Sequence, residues 1–507
     1  MTNSLIKSPV SACNSKQTLL TFHRLSVLVL CALAGLLTAC SHNSTLATAA
    51  ANPTTTGVAY PLKAGANGRY FVDQNNVPFL ILGDSPQSIA VNLSTTLMAS
   101  YMADRQAHGF NTLLVDALVN TYTGGNASGT TYDGIAPFTS GSSAAGYDLS
   151  TPNPVYFSRF DALVSMAAAR GLALFVDPIE TGGWLTTLEN NGATKAFEYG
   201  AFLGNRYKNS ANVMWQSGND FQAWNTNSTD NYLVDQVMAG IASAAPKQVQ
   251  TIELNFDQSY SSEDVLLQPF LNLDAVYTYY ETYDEVLMAY NRLPTLPTFL
   301  TEANYEYENN TGFLSGLAGP FVLREQEYWT MTSGACGQLY GNHYTWSFAT
   351  GWQNYLDSPG TAELAYLLEL FNSISWWKLV PDEDHQVVVS GYGTYNGTNG
   401  NLALATYATT SWIPDGSVAV TYDPAGNPLT VNLTAFAGPV TAAWYDPSSG
   451  IFKTIAGSPF ANAGTQQFTP QGTNNDGDED WVLVLEVNPA FPKTLARASS
   501  SHSLSHF

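Results

Sequence analysis

Two carboxylates carry the strongest chemical signal in this sequence. Asp220 closes the segment Asn212-Val-Met-Trp215-Gln-Ser-Gly-Asn219-Asp220, and Glu302 closes Pro297-Thr-Phe-Leu-Thr-Glu302. Each stands at the carboxyl end of a short apolar run that reads as a β-strand. Hydrolysis of a glycosidic bond needs two carboxyl groups facing each other across a sugar. One protonates the leaving oxygen, and the other attacks the anomeric carbon or activates water. A single Asp at a strand end commonly does no more than cap the next element. The case therefore rests on the two together and on the aromatic residues near them.

Other chemistries lack their residues. The nearest approach to a nucleophilic-serine elbow, Gly83-Asp84-Ser85-Pro86-Gln87, has no closing glycine. The body of the chain holds only His108, His343 and His385, widely spaced and without an HxH or HExxH pattern, so no zinc site and no other cofactor is expected. Asp476-Gly-Asp478-Glu-Asp480 could present alternating carboxylates to calcium, but a solvated acidic loop is the simpler reading. Glycine-rich phosphate loops are absent. With 18 basic against 41 acidic residues and a formal charge of −23, the chain cannot neutralise a phosphate backbone, which excludes nucleic acid as a partner.

The elements that must position the pair follow from the alternation of apolar runs with amphipathic stretches. Eight runs read as strands: 79–84, 112–116, 172–177, 213–218, 250–255, 275–280, 297–302 and 337–346. Helices are expected at 95–108, 156–170, 193–207 and 231–244. Eight strands with crossover helices form a (β/α)8 TIM barrel, whose active site lies at the carboxyl ends of its strands. Strands four and seven face one another across that mouth. They are the two that end in Asp220 and Glu302. After Pro381 the texture becomes short alternating segments, among them 386–389, 402–407, 418–422, 430–433, 441–445 and 481–487, which read as an antiparallel β-sandwich. The resulting organisation is a catalytic α/β domain over 60–381, a β-sandwich over 385–490 and a disordered tail over 491–507.

The amino terminus has the layout of an export signal. Lys7, Lys16 and Arg24 precede the apolar run Leu25–Leu37, with no acidic residue before Cys40. The ending Leu37-Thr-Ala-Cys40 resembles a bacterial lipobox. The expectation is a lipoprotein signal over 1–40, lipid attachment at Cys40 and a flexible tether over 41–59. The protein would be anchored at the cell envelope, monomeric, and able to meet a carbohydrate substrate. Cys336 would then be the one remaining thiol, in the core.

The opening Gly68-Arg-Tyr-Phe-Val-Asp73 with Pro78-Phe-Leu-Ile-Leu-Gly-Asp84 resembles the start of the apiosidase-like glycoside hydrolases. The likeness continues through Trp215–Asp220, Glu302-Ala-Asn304-Tyr305-Glu306 and Gly337-Gln-Leu-Tyr340-Gly-Asn-His343. The segment around Ala443-Trp-Tyr-Asp-Pro447 is similar to the β-domain often appended to such enzymes and named for collagen binding. The resemblance implies Asp220 as general acid/base, Glu302 as nucleophile, a retaining mechanism and action on polysaccharide side chains, with apiose-containing pectin as the namesake substrate. Asp220 should be raised in pKa by Glu302 and by burial, while Glu302 stays ionised. At the rim, Asp84, Asp116 and Asn219 are candidates for sugar hydroxyls, Tyr279, Tyr305, Tyr340 and Trp346 for stacking, and His343 for a donor near the nucleophile. The alternatives are another exo-glycosidase specificity on the same scaffold, and a carbohydrate-binding surface lipoprotein whose barrel is inactive.

Overall fold

The computed structural model describes residues 57–489 apart from 257, 310, 311 and 399. The expected signal, Cys40 and the tail after 490 lie outside the described residues. Eight parallel strands form the central sheet: β1 Ile81–Asp84, β2 Thr112–Asp116, β3 Ala173–Asp177, β4 Val213–Ser217, β5 Gln250–Ile252, β6 Asp274–Thr278, β7 Thr298–Glu302 and β8 Gly337–Tyr340. Their order is β5-β4-β3-β2-β1-β8-β7-β6, with an extra strand Gln258–Tyr260 antiparallel on β6. The first strand pairs with the last, Gly337 opposite Ile81 and Tyr340 opposite Asp84, so the sheet curls into a barrel.

The seam lies between β5 and β6. It is closed by the Asn272 N–H on the Gln250 carbonyl at 2.9 Å. Ser261 also bridges it, donating to the Ile252 carbonyl at 2.5 Å and accepting from the Ala275 N–H at 2.9 Å. Every residue of β2, β3, β4, β6 and β7 is buried. Strands covered on both faces require that, and it explains why they read as unbroken apolar runs. Phe175 and Phe299 stack across the interior at 5.0 Å, joining β3 to β7.

The surrounding helices are α1 Thr95–Ala107, α2 Pro154–Ala169, α3 Thr181–Tyr207, α4 Ser228–Ala244, α5 Thr282–Asn291, α6 Pro320–Thr332 and α7 Pro359–Asn372. Ser94, Asn153 and Asn227 cap the amino ends of α1, α2 and α4 through their side chains. α3 begins twelve residues before the expected start and kinks at Gly192. Its first half carries Gly182 and Gly183, which weigh against a helix in any propensity argument. α3 and α4 pack closely because Gly200 and Gly240 lack side chains: a Cβ on either would stand 2.1 to 2.2 Å from a carbonyl of the other helix.

Some strand expectations are corrected. β5 stops at Ile252 and β8 at Tyr340, both short of the apolar residues that follow. Residues 402–407 are not a strand; Leu402–Leu404 form a single 3-10 turn. The apolar pattern there arises because Leu402 and Tyr407 pack against the barrel. An unanticipated three-stranded sheet, Lys63–Ala64, Phe71–Val72 and Pro78–Phe79, adds Phe71 and Phe79 to the same core. Among the described residues no helix is long and apolar enough to cross a membrane.

The carboxyl-terminal region is two antiparallel sheets. One has six strands in the order Val380–Pro381, Thr409–Trp412, Val418–Asp423, Trp481–Val487, Val440–Asp446 and Ile451–Thr454; the other has Val388–Ser390, Leu429–Asn432 and Thr465–Phe468. Its outer face against the barrel is apolar. Tyr328 of α6 stacks on Tyr422 at 5.2 Å, and Trp329 meets the same ring edge-on. The acidic loop is solvent-exposed at Asp476 and Glu479, as expected, but it also has a role that was not anticipated. Asp478 and Asp480 hold Arg324 of α6, at 2.6 Å and 2.8 Å, while Glu363 of α7 holds it from the barrel side at 2.8 Å.

Candidate active site

A cavity of about 180 Å³ opens at the carboxyl ends of the barrel strands, lined by Gln87, Tyr122, Thr123, Asn219, Asp220, Tyr279, Glu302, Tyr305, Glu308 and Trp346. Glu302 is the last residue of β7 and is almost fully buried. Its Oε1 accepts from the Tyr277 hydroxyl at 2.8 Å and the Tyr279 hydroxyl at 2.9 Å, and its Oε2 from the Tyr305 hydroxyl at 2.7 Å. Gln87 in turn donates to Tyr305 at 3.2 Å. Three hydroxyls thus point at one carboxylate from β6, the chain just after it and the loop after β7.

Asp220 lies three residues beyond β4 and faces the cavity. Its Oδ2 accepts from the Tyr122 hydroxyl at 2.7 Å. The chain reaches it through Gly218, Asn219 and Asp220 itself, all with positive φ of 105°, 38° and 61°. Only the first is glycine, so the other two are held in a conformation that L-residues rarely adopt. A second cleft of about 470 Å³ shares Tyr122, Asp220 and Tyr279 with the first and adds Gln222, Phe256, Tyr277 and Phe313.

Burial pushes Glu302 up to about 8, the Asp220 charge adds to this, and the three tyrosine hydroxyls oppose it. Burial also raises Asp220, against hydrogen bonds from Tyr122 and Tyr277. The expectation of a raised Asp220 beside an ionised Glu302 is therefore revised. Both groups are raised, and two carboxyls in one pocket titrate as a pair.

The family model described as "Apiosidase-like, catalytic domain" matches residues 65–378. The chain belongs to the apiosidase-like glycoside hydrolases. A second model, "Putative collagen-binding domain of a collagenase", matches residues 397–486. The fold is similar to a solved structure titled a glycoside hydrolase, with TM-score 0.72 and 19% identity over 85% of this chain and 97% of that one. It is also similar to a glycoside hydrolase family 5 structure from Bacteroides vulgatus, with TM-score 0.71 and 19% identity over 84% and 93%. No curated protein matches the sequence.

In this apiosidase-like barrel the cavity gathers six of the expected site residues: Asp220, Glu302, Asn219, Tyr279, Tyr305 and Trp346. Asn219 Nδ2 is buried without a protein partner and so keeps a donor free at the pocket. Four others are not brought to it. Asp84 is fully buried, taken up by the Tyr101 hydroxyl and the Ser85 N–H, with Arg105 at 3.7 Å. Asp116 is fully buried beside Asp177 on β3, and burial drives it to about 8. Tyr340 donates to Glu306 and contacts Ser358 at 3.0 Å inside the protein. His343 stands one contact behind the lining, its Nδ1 2.9 Å from Glu308 Oε1, which also accepts from Trp346 Nε1 at 2.8 Å.

Sequence reasoning missed Gln87, Tyr122, Thr123 and Glu308, which sit on loops without periodicity. It also missed Tyr277, inside a strand, and Glu253, buried just beyond β5. Among the described residues, one cluster has metal-like spacing, Asp104 with His108 and Asp357, and none of the three lines the cavity.

Proposed function

We propose that this glycoside hydrolase removes a sugar from a polysaccharide side chain by double displacement with retention, Glu302 attacking and Asp220 serving as acid and then base. The observation that carries this reading is that the two carboxyls line one cavity from opposite sides of the barrel. Burial and the Asp220 charge raise Glu302 against its three tyrosine hydroxyls, so the pair shares a proton, and the reaction requires that proton on Asp220 when substrate is bound. Tyr277 donates to Glu302 at 2.8 Å, and Tyr122 donates to Asp220 at 2.7 Å. Retention requires the two carboxyls about 5–5.5 Å apart, against roughly 6.5–9.5 Å for inversion.

The two adjoining spaces divide the substrate. The polar cavity takes the sugar whose bond breaks, and the cleft walled by Phe256, Phe313 and Tyr122 takes the leaving group. Asp220 borders both, where an acid must stand to protonate the bridging oxygen. A terminal side-chain sugar, with apiose in pectin as the first to test, is the substrate this layout supports. Export through the amino-terminal signal with lipidation at Cys40 would set the enzyme at the envelope as a monomer. Loss of lipid labelling in Cys40→Ala and light scattering test those two points.

The test of function is sugar release from apiose-containing pectin and a panel of neutral side-chain polysaccharides. Wild type is expected to release a monosaccharide, and Asp220→Asn and Glu302→Gln to lose at least about 10²-fold. Glycan binding by all three without release by any would replace hydrolysis with capture.

A further inference from the structure

Asp220 depends on a turn that cannot hold itself. Asn219 and Asp220 keep left-handed backbone, which persists only where the surroundings over-determine it. Two residues supply them: Thr181, whose N–H and hydroxyl donate to the Gly218 carbonyl at 2.7 and 2.8 Å, and, on the other side, Glu253. Its N–H donates to the Ser217 carbonyl at 2.8 Å, and its carbonyl accepts the Phe221 N–H at 3.4 Å. That carbonyl also lies 2.4 Å from where a Cβ on Gly218 would sit, so it presses directly beneath the turn. The side chain completes the hold: Glu253 Oε1 accepts the Asp220 N–H at 3.2 Å.

The other carboxyl oxygen reaches the opposite half of the site. Glu253 Oε2 accepts from Gln216 Nε2 of β4 at 3.0 Å and from Thr301 Oγ1 of β7 at 2.9 Å. Thr301 immediately precedes Glu302. A single carboxyl therefore ties the turn bearing Asp220 to the strand bearing Glu302. Glu253 is fully buried and is not part of the cavity lining, so it does not meet substrate. Burial and the charges of Glu302 and Asp220 all disfavour an anion there. An apolar side chain would avoid that penalty but could not make these three hydrogen bonds.

We propose that Glu253 is a positioning residue that fixes the direction of the Asp220 carboxyl relative to Glu302. The inference rests on the two-carboxylate reading above. Its consequence is selective. A misaimed acid harms departure of alkoxides, which need a proton, and spares departure of 2,4-dinitrophenolate, which leaves unaided.

The experiment measures kcat/KM for methyl, phenyl, 4-nitrophenyl and 2,4-dinitrophenyl glycosides of the sugar that wild type releases. Glu253→Ala should lose about 10²-fold on the methyl and phenyl glycosides, the scale of an approximately 1 Å misplacement, and nothing on the dinitrophenyl one. KM should change little on the methyl and phenyl glycosides, whereas on the dinitrophenyl one kcat and KM should fall together because Asp220 is also the base of the second step. Glu253→Gln keeps an oxygen for the Asp220 N–H and should recover most of the loss, while Thr301→Val, which cuts one tether, should fall between. These two variants carry the test if Glu253→Ala does not fold. Asp220→Asn should show the same leaving-group dependence more steeply; if it does and Thr301→Val matches wild type, or the Glu253 and Thr301 variants lose equally on every leaving group, the positioning role is overturned. A wild type that releases no sugar removes the two-carboxylate reading and this inference with it.

Discussion

Replacing Arg324 should loosen the β-domain from the barrel, by an amount the structure lets one bound. The guanidinium is fully buried and meets Asp480 with two nitrogens at 2.8 and 3.0 Å, Glu363 at 2.8 Å and Asp478 at 2.6 Å. Asp478 and Asp476 are more than a third exposed and are screened by water, so they are left out of the sum. Asp480 and Glu363 are buried and would be left without a counter-charge. Removing one partner of a buried pair in this way costs about 3–5 kcal/mol. At about 2.1 cal/mol/K of unfolding entropy per residue, that is a fall in Tm of about 3–6 °C for a folded unit this size. Arg324→Met should show it by calorimetry at pH 8. The deficit should shrink as pH falls below about 8: burial raises both carboxyls, Glu363 to about 8, against the opposing Arg324 charge, so without that charge they rise further and are neutralised. Asp480→Asn added to Arg324→Met should restore part of the loss. A variant that melts with wild type, or a deficit independent of pH, would refute the latch.

Three further outcomes are expected. Tyr122→Phe removes the hydroxyl that holds Asp220 down, so its alkaline limb should move to higher pH, and kcat/KM at the optimum should fall roughly tenfold, the scale of one hydrogen bond to a charged group. In wild type that limb should lie near the upper value of the pair, about 8, with activity lost as pH rises through it and the pair gives up its last proton. Burial raises Asp116 and Glu285 to about 8 and Asp423 to about 7. Their folded values lie above the unfolded ones, so their contribution to stability is present below about pH 4 and lost as pH rises through 7 to 8, a decline that melting curves should record. Truncation after Pro381 would expose Tyr328 and Trp329 and should yield an insoluble or unfolded barrel; a soluble, active fragment would contradict the packing role of the β-domain.

Much of the barrel was legible because strands buried on both faces must be written as apolar runs. Thr112–Asp116 and Trp481–Val487 coincide with their expected bounds. The same reasoning failed where apolar residues serve packing and not pairing, as at Leu402 and Tyr407. Asp220 and Glu302 were legible as candidates because a strand-end carboxylate is a visible signal, and both line the cavity. Asp84 and Asp116 give the same signal, yet their side chains turn into the protein, where Tyr101 and the neighbouring carboxyl of Asp177 meet them. Which way a terminal side chain points depends on where the strand stops, and that is set by tertiary packing. The role of Asp478 and Asp480 depends on Arg324, more than 150 residues away, a pairing that no local pattern encodes.

The most direct test of the central claim is to trap the enzyme on a 2-deoxy-2-fluoro glycoside of the released sugar carrying a dinitrophenyl leaving group, then locate the adduct by peptide mass spectrometry. The account predicts one sugar bound to the peptide carrying Glu302, at the carboxylate that Tyr277, Tyr279 and Tyr305 surround. An adduct on any other residue, or turnover with inversion and no adduct, would contradict it.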